Sequence, residues 1–143
     1  MMRIRLLLLG KMRRTELRAV LEGYVKRIGR SWPTEVTEVR DGAAALKKLE
    51  VDRAATAVLL DAAGKPYDSV AFAHWLREHR DGGTREIIFV CGDADGFPGA
   101  LRERVQQRVS LSAMTYSHEL ARVMLAEQIY RALAILSGSP YPK

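Results

Sequence analysis

The stretch Val109–Leu136, VSLSAMTYSHELARVMLAEQIYRALAIL, decides how the rest of the chain is read. Val109, Leu111 and Ala113 alternate with polar neighbours, a loop follows at Met114 to Tyr116, and a long helix begins at once. Ser117 is placed to cap its first free amides, and Glu119 in the first turn suits the positive end of the helix dipole. Glu127 and Arg131 stand at i and i+4 in the favourable order. Apolar residues (Leu120, Val123, Met124, Leu125, Ile129, Tyr130, Leu133, Ile135, Leu136) point almost all round this helix. A surface helix shows one apolar stripe, so cover on two sides is expected. A chain this small has little material for both covers, which predicts a second subunit; a central helix buried in a monomer is the alternative.

The chain has 143 residues, of which 48% are hydrophobic and 28% charged, as expected for one globular domain spanning 1–143 with a substantial core. The net charge of +6 points to a polyanionic partner, most often nucleic acid. Cys91 is the single cysteine, and the three histidines (His74, His79, His118) are scattered, so neither a disulfide nor a metal site is expected. The apolar run Leu6–Leu9 is too short for a signal peptide and is cut off by Lys11, Arg13 and Arg14. No stretch approaches the roughly 20 apolar residues of a membrane span, and a cytoplasmic location is expected.

Working outward, Met2 to Leu9 reads as a buried strand ended by Gly10. Thr15 is expected to cap a helix whose apolar residues, Leu17 to Ile28, fall at helical spacing before Gly29 stops it. Thr34 to Val39 reads as a strand with one wet face, Ala43 to Leu49 as a short helix, and Thr56 to Leu60 as a second buried strand ending in Asp61. Ala62 to Tyr67, with Gly64 and Pro66, reads as a loop before a helix over Ser69–Arg80. Ile87 to Val90 is a continuous apolar strand, Gly92 to Gly96 a loop, and Pro98 opens a helix carrying Leu101 and Val105. Strands alternating with helices predict an α/β fold with a mainly parallel sheet and helices on both faces.

Ligands of such sheets sit beyond the carboxyl ends of the strands. Three such ends carry small or flexible residues: Leu60 with Asp61, Cys91 with Gly92, and Leu111 to Tyr116. Gly92 and Gly96 either let the backbone approach a ligand or simply turn the chain. Neither G-x-G-x-x-G nor a P-loop is present, so a dinucleotide or nucleoside triphosphate is not indicated.

The run S-L-S-A-M-T (110–115), then His118, Leu120, Arg122-Val123, Glu127, Tyr130-Arg131-Ala132 and Pro140-Tyr141, resembles the carboxyl-terminal end of the RlmH family. These are ribosomal large-subunit methyltransferases of the SPOUT, or α/β-knot, class. Gly10-Lys11-Met12, Leu60-Asp61, Gly64-Lys65-Pro66, Gly92 and Asp95-Gly96 fall where the family has similar residues, and the resemblance fails only between Arg40 and Ala57. It implies a carboxyl-terminal trefoil knot and an S-adenosylmethionine site made by Leu60, Gly92, Leu111, Ser112, Ala113, Met114, Thr115 and Tyr116. It also implies methylation of N3 of a pseudouridine in an intersubunit stem-loop of 23S rRNA, by a homodimer.

Within that reading, His118 is the candidate base, set against a role in orienting the helix start. Arg122 is a candidate to steady an anionic base or phosphate, and Tyr141 a candidate cover for the site. Lys11, Arg13, Arg14 and Lys65 are candidate RNA contacts, each also readable as solvated surface. The arginines 102, 104 and 108 are further phosphate candidates. The sequence departs from the family at Asp93, where most relatives have a second glycine, and at Pro142, where they usually have histidine; the lysine-rich loop has shrunk to Arg40–Val51. A non-catalytic RNA- or ribosome-binding dimer of the same fold is the alternative. A phosphoreceiver module, suggested by Asp61, needs an acidic pair after the first strand, where Gly10-Lys11 stand instead.

Overall fold

A computed structural model describes residues 1–141; the departure at Pro142 lies outside the described residues. The elements run β1 (Arg3–Leu9), α1 (Thr15–Ile28), β2 (Thr34–Val39), α2 (Gly42–Val51), β3 (Thr56–Pro66), α3 (Ser69–Asp81), β4 (Glu86–Cys91), α4 (Gly99–Arg104), β5 (Arg108–Ser110) and α5 (His118–Ser137). The five strands form one sheet in the order β2-β1-β4-β3-β5, and every pairing is parallel.

The period of two along the strands divides the core into halves. Ile4, Leu6, Leu8, Val58, Ile87 and Phe89 face α1, α3 and α5, where Leu21, Ile28, Phe72, Leu76, Val123 and Ile129 meet them. Leu7, Leu9, Leu59, Ile88 and Val90 face α2 and α4, where Ala45, Leu49, Leu101 and Val105 meet them. The connections β1–β2 and β3–β4 step toward the β2 edge and carry α1 and α3 on the first face; β2–β3 and β4–β5 step toward the β5 edge and carry α2 and α4 on the second. Opposite directions on opposite faces give all four crossovers the same hand, as twisted parallel sheets require.

The structure corrects three local readings. Thr15 does not cap α1: Arg14 occupies that position without a side-chain bond, and the Thr15 hydroxyl donates instead to Glu16 at 2.9 Å. The segment 62–66, expected as loop, is the end of β3. Val109 of β5 pairs with both Leu60 and Lys65, so the residues between them are looped out of register and the strand resumes beyond. At Gly64, a Cβ would stand 2.8 Å from the Arg108 carbonyl carbon and 2.9 Å from the Val109 amide nitrogen, so only glycine permits this crossing. Finally, β5 ends at Ser110, whose hydroxyl shares its one proton between the carbonyls of Ala62 (3.0 Å) and Ser112 (2.9 Å), and the alternation through Ala113 continues as irregular chain.

Helix α5 begins as its sequence predicts, with the Ser117 hydroxyl accepting from the Leu120 amide at 3.2 Å. Val123, Leu125, Ala126, Ile129 and Ala132 are buried against the first face. Leu120 remains 39% exposed, while Met124, Tyr130, Leu133, Ile135 and Leu136 are half-buried. The chain's own sheet, α1 and α3 therefore cover one side of the helix and leave apolar surface on the other.

Candidate functional site

The carboxyl ends of β3 and β4 and the chain leaving β5 enclose a crevice. Its walls are Leu60, Asp61 and Ala62 from β3; Cys91, Gly92, Asp93, Gly96 and Phe97 from β4 and its loop; and Leu111, Ser112, Met114, Thr115 and Tyr116 after β5. His118, Ala121 and Arg102 complete it. Because β3 hands the chain to α3 on one face and β4 hands it to α4 on the other, the strand ends part here, the usual place for a ligand in an open parallel sheet.

Of the expected cofactor residues, Leu60, Gly92, Leu111, Ser112, Met114, Thr115 and Tyr116 are brought together; Ala113 is exposed and outside the lining. At Gly92, a Cβ would lie 3.0 Å from the Gly96 carbonyl oxygen, so the loop closes tightly on itself and a side chain there would force the Gly96 backbone to shift. Asp93 is half-buried at the wall; its Oδ1 accepts from the Asp95 amide at 2.8 Å. Across the mouth, Asp61 Oδ2 receives Arg102 Nη1 at 2.7 Å, while Asp61 Oδ1 receives the Ala63 amide at 3.0 Å. Burial pushes the Asp61 carboxyl up, but the Ala63 amide and Arg102 outweigh it and hold the group below the ordinary carboxylate range. Arg102, a phosphate candidate from sequence, is thus an internal partner; its guanidinium also sits 5.6 Å from the Phe97 ring centroid. Phe97 was not singled out from sequence, although an aromatic residue closing a glycine loop ahead of Pro98 is the signal that would find it.

The floor of the crevice is held by a side chain beneath it. Arg122 is fully buried, and its guanidinium donates to three carbonyls from two adjacent strand ends: Leu9 at 2.5 Å, Gly10 at 3.2 Å and Gly92 at 3.1 Å. Its Nη1 also lies 3.6 Å from Met12 Sδ, and its Nε has no partner among the described residues. Burial lowers its pKa from the ordinary arginine value, with Cys91, Glu119, Glu38 and Asp93 opposing. Arg122 lies under the crevice rather than in it, and touches the site through the Gly92 backbone.

Glu119 turns inward as well. It is buried, and one carboxylate oxygen accepts the amides of Arg13 (2.9 Å) and Arg14 (3.0 Å). The Arg14 amide holds the carboxyl below its ordinary range; burial opposes this and the Arg13 amide reinforces it. The sequence offers the helix dipole as the reason for Glu119; the structure gives it a loop to hold. With the Met12 amide donating to Glu38 at 2.8 Å, the loop is fixed at the carboxyl edge of the sheet, and Lys11, Arg13 and Arg14 are exposed there. Lys65 lies apart from them, beside Trp75 and Gln107, with its Nζ 5.3 Å from the Tyr67 ring centroid.

Tyr141 is not at the crevice. Its hydroxyl donates to Glu127 at 2.9 Å and its ring meets Tyr130 edge-on at 4.7 Å; Glu127 also receives Arg131 at 2.7 Å, the pairing expected from sequence. Burial, with Tyr24 and Glu127 nearby, raises the Tyr141 phenol above its ordinary pKa. Among the described residues no group of three or more His, Cys, Asp or Glu side chains is arranged to hold a metal, and no helix is long and apolar enough to cross a membrane.

With this geometry in hand, comparison with known proteins is informative. Residues 2–142 match the family model described as "Predicted SPOUT methyltransferase". The chain is 43% identical over 143 residues to the ribosomal RNA large subunit methyltransferase H of Solibacter usitatus, covering 98% of this chain and 99% of that protein. To the protein of the same name from Geotalea daltonii it is 39% identical over 151 residues, covering 98% and 99%. Among solved structures, the tRNA (m1G37) methyltransferase of Aquifex aeolicus superposes with a TM-score of 0.63 at 15% identity, over 99% of this chain and 75% of that one. The SpoU methyltransferase AviRb of Streptomyces viridochromogenes, in complex with AdoMet, does so with a TM-score of 0.52 at 14% identity, over 91% and 57%. The two structural likenesses speak for the fold; the match over the whole length at about two-fifths identity speaks for more, and by it the chain belongs to the ribosomal RNA large subunit methyltransferase H family of SPOUT methyltransferases.

Proposed function

We propose that the protein transfers the methyl group of S-adenosylmethionine to N3 of a pseudouridine in 23S rRNA. The observation that carries this reading is the crevice itself. Seven of the eight residues expected to hold the cofactor converge there from three separate strand ends, with His118 beside them. The residues present fit the group. The walls around Leu60, Leu111, Met114 and Phe97 are apolar, as an adenosine requires. Gly92 leaves its backbone bare, and Asp93 offers a carboxylate to an ammonium while Arg102 is neutralised by Asp61.

Bound there, S-adenosylmethionine supplies an electrophilic methyl group. The protein's part is to align it and to help N3 lose its proton. Holding two reactants in near-attack geometry is worth roughly 7–11 kcal/mol at best. A base adds about 10²- to 10⁴-fold, and we assign acceptance of the N3 proton to His118, which lines the crevice. Arg122 acts by positioning, since its guanidinium is occupied by the Leu9, Gly10 and Gly92 carbonyls. Lys11, Arg13 and Arg14 meet RNA phosphates at the same edge of the sheet, and Lys65 contributes from farther away. Tyr141 covers the site only by leaving Glu127 and Tyr130. The apolar surface left on α5 is covered by a second copy of the chain, and the enzyme works as a cytoplasmic homodimer.

Labelled-methyl transfer to ribosomes lacking the modification, with the product nucleoside identified, tests the reaction. Label in 3-methylpseudouridine supports it, and label in any other nucleoside refutes the assignment. Calorimetry with S-adenosylmethionine separates enzyme from scaffold: micromolar binding abolished by a bulky residue at Gly92 supports the enzyme, and absence of binding supports a non-catalytic RNA-binding dimer. His118→Ala with unchanged turnover removes His118 as base.

A further inference from the structure

The loop from β1 to α1, residues 10–14, has no regular structure, yet side chains from three helices and strands hold its backbone. Arg122 of α5 donates to the Gly10 carbonyl at 3.2 Å, and Arg18 of α1 donates to the Met12 carbonyl at 2.6 Å. The Met12 amide donates to Glu38 of β2 at 2.8 Å, and Arg18 meets the same carboxylate oxygen at 3.0 Å. The next two amides, of Arg13 and Arg14, share one oxygen of Glu119 at 2.9 and 3.0 Å. Three consecutive amides thus end on carboxylates that arrive from β2 and α5.

The side chains of the same loop are left free. Lys11, Arg13 and Arg14 are exposed, and among the described residues none of them forms an ion pair. Capping of α1 explains only half of the Glu119 contact. The Arg14 amide stands at the N-cap, where a helix lacks an acceptor of its own; Arg13 lies ahead of α1, so a bond to its amide fixes the loop and not the helix. Nor does charge favour an acidic residue there. A carboxylate beneath three cations lowers the local positive potential and weakens attraction to a polyanion. The geometry it imposes must outweigh the charge it adds.

We propose that Glu119 is a positioning residue for RNA binding: by taking the Arg13 and Arg14 amides it presets the backbone from which Lys11, Arg13 and Arg14 reach phosphates. The proposal rests on the rRNA reading above, which gives those three cations to phosphates, and adds the residue that arrays them. A loop ordered at folding loses no further backbone entropy when RNA arrives. The grip uses the buried side of α5, where Glu119 and Arg122 lie, and not Leu120 or Met124 on the side covered by the second copy.

The test is a double-mutant cycle between Glu119→Ala and the loop variant K11Q/R13Q/R14Q. Binding to ribosomes lacking the modification is measured by cosedimentation below the transition temperature of each variant, with S-adenosylmethionine calorimetry in parallel. Glu119→Ala should bind ribosomes about tenfold more weakly, the equivalent of re-ordering roughly one backbone residue at each encounter. Charge alone predicts the opposite sign, since the substitution removes an anion from an anion-binding surface. In the K11Q/R13Q/R14Q background the same substitution should change nothing, because no cations remain to be arrayed. Glu119→Gln, which keeps the size and one neutral acceptor, should fall between wild type and alanine, and carries the test if the alanine variant does not fold. Cofactor affinity should be unchanged, as Arg122 and Ser117 still hold the start of α5. Undiminished ribosome binding by both Glu119 variants overturns the proposal. So does a loss of equal size in both backgrounds, or a parallel loss of cofactor affinity, either of which makes Glu119 a general support of the fold. Binding and methyl transfer are read separately: a complete cycle of the expected form in a protein that transfers no methyl group refutes the proposed reaction and leaves the role of Glu119 in place.

Discussion

Arg122→Met removes the one cation under the crevice while keeping much of the side chain's length. In the native protein the guanidinium donates to the carbonyls of Leu9, Gly10 and Gly92. Hydrogen bonds to a charged group are worth about 1.5–3 kcal/mol each, so the three together gross about 5–9 kcal/mol. Against this stands the cost of keeping a guanidinium out of water, several kcal/mol, which the methionine does not incur. What remains is the penalty of leaving three carbonyls without donors where water has little access, a net loss of about 3–5 kcal/mol. For a chain of this size about 1 kcal/mol corresponds to roughly 3 °C, so the melting temperature should fall by about 10–15 °C. Arg122→Lys restores the charge but not the fork, and should recover only part of the loss. Differential scanning calorimetry of the three proteins measures the fall directly. Cofactor titration below the variant's transition should show weakened binding as well, because Gly92 is one of the three carbonyls released. A methionine variant melting within about 2 °C of wild type, or a lysine variant equal to arginine, would falsify the reasoning, since the carbonyls would then not depend on the fork.

Other perturbations probe the remaining contacts. Gly64→Ala places a Cβ against the Arg108 and Val109 backbone, and because backbone cannot swing aside it should destabilise by more than the usual ~1 kcal/mol of a point substitution, read as a lower urea midpoint; an unchanged midpoint contradicts the close crossing. Glu119 has a depressed folded pKa, so its contribution is complete above the unfolded value near 4.3 and is lost as pH falls through the folded one. Wild type and Glu119→Gln should therefore differ in urea midpoint at about pH 7 and converge toward about pH 3; a gap independent of pH removes the carboxylate as the loop's anchor. Burial pushes the Cys91 thiol up to about 12, with Arg122 opposing, so a thiol reagent at about pH 8 should label it only after denaturation. Ser117→Ala deletes the bond to the Leu120 amide and should cost about 1 kcal/mol in thermal unfolding.

The sequence reveals the parts of the fold that local physics controls. Alternating burial along β1 and β4 follows from runs such as RIRLLLL and EIIFVC, and helices α1, α3 and α5 start or stop where glycine, serine and the 3.6-residue period place them. It hides what depends on distant partners. Ala62–Tyr67 carries glycine and proline and so reads as loop, yet β5 recruits Lys65 and Pro66 into the sheet after a register shift that no local pattern encodes. Thr15 has a capping side chain, but the chain enters α1 one residue earlier and that side chain never reaches the amides. The polar residues of α5 mislead in the same way. Arginine and glutamate are assigned to solvent by composition, whereas Arg122 and Glu119 point inward because their acceptors and donors come from segments more than a hundred residues earlier in the chain.

That inward pair links the fold to the site. Glu119 holds the loop after β1 by its amides, and Arg122 holds the ends of β1 and β4 by their carbonyls, both from the first turns of the last helix. The crevice wall at Gly92 therefore takes its shape only when α5 is seated, and α5 also supplies His118 and Ala121 to that crevice. Any ligand that binds the formed crevice and not the open one must then stabilise the seated helix, by about 2.7 kcal/mol at a hundred times its dissociation constant. A single helix thus does three things at once: its apolar side closes one half of the core, its first turns draw two strand ends into register, and its amino end borders the space where the proposed chemistry takes place.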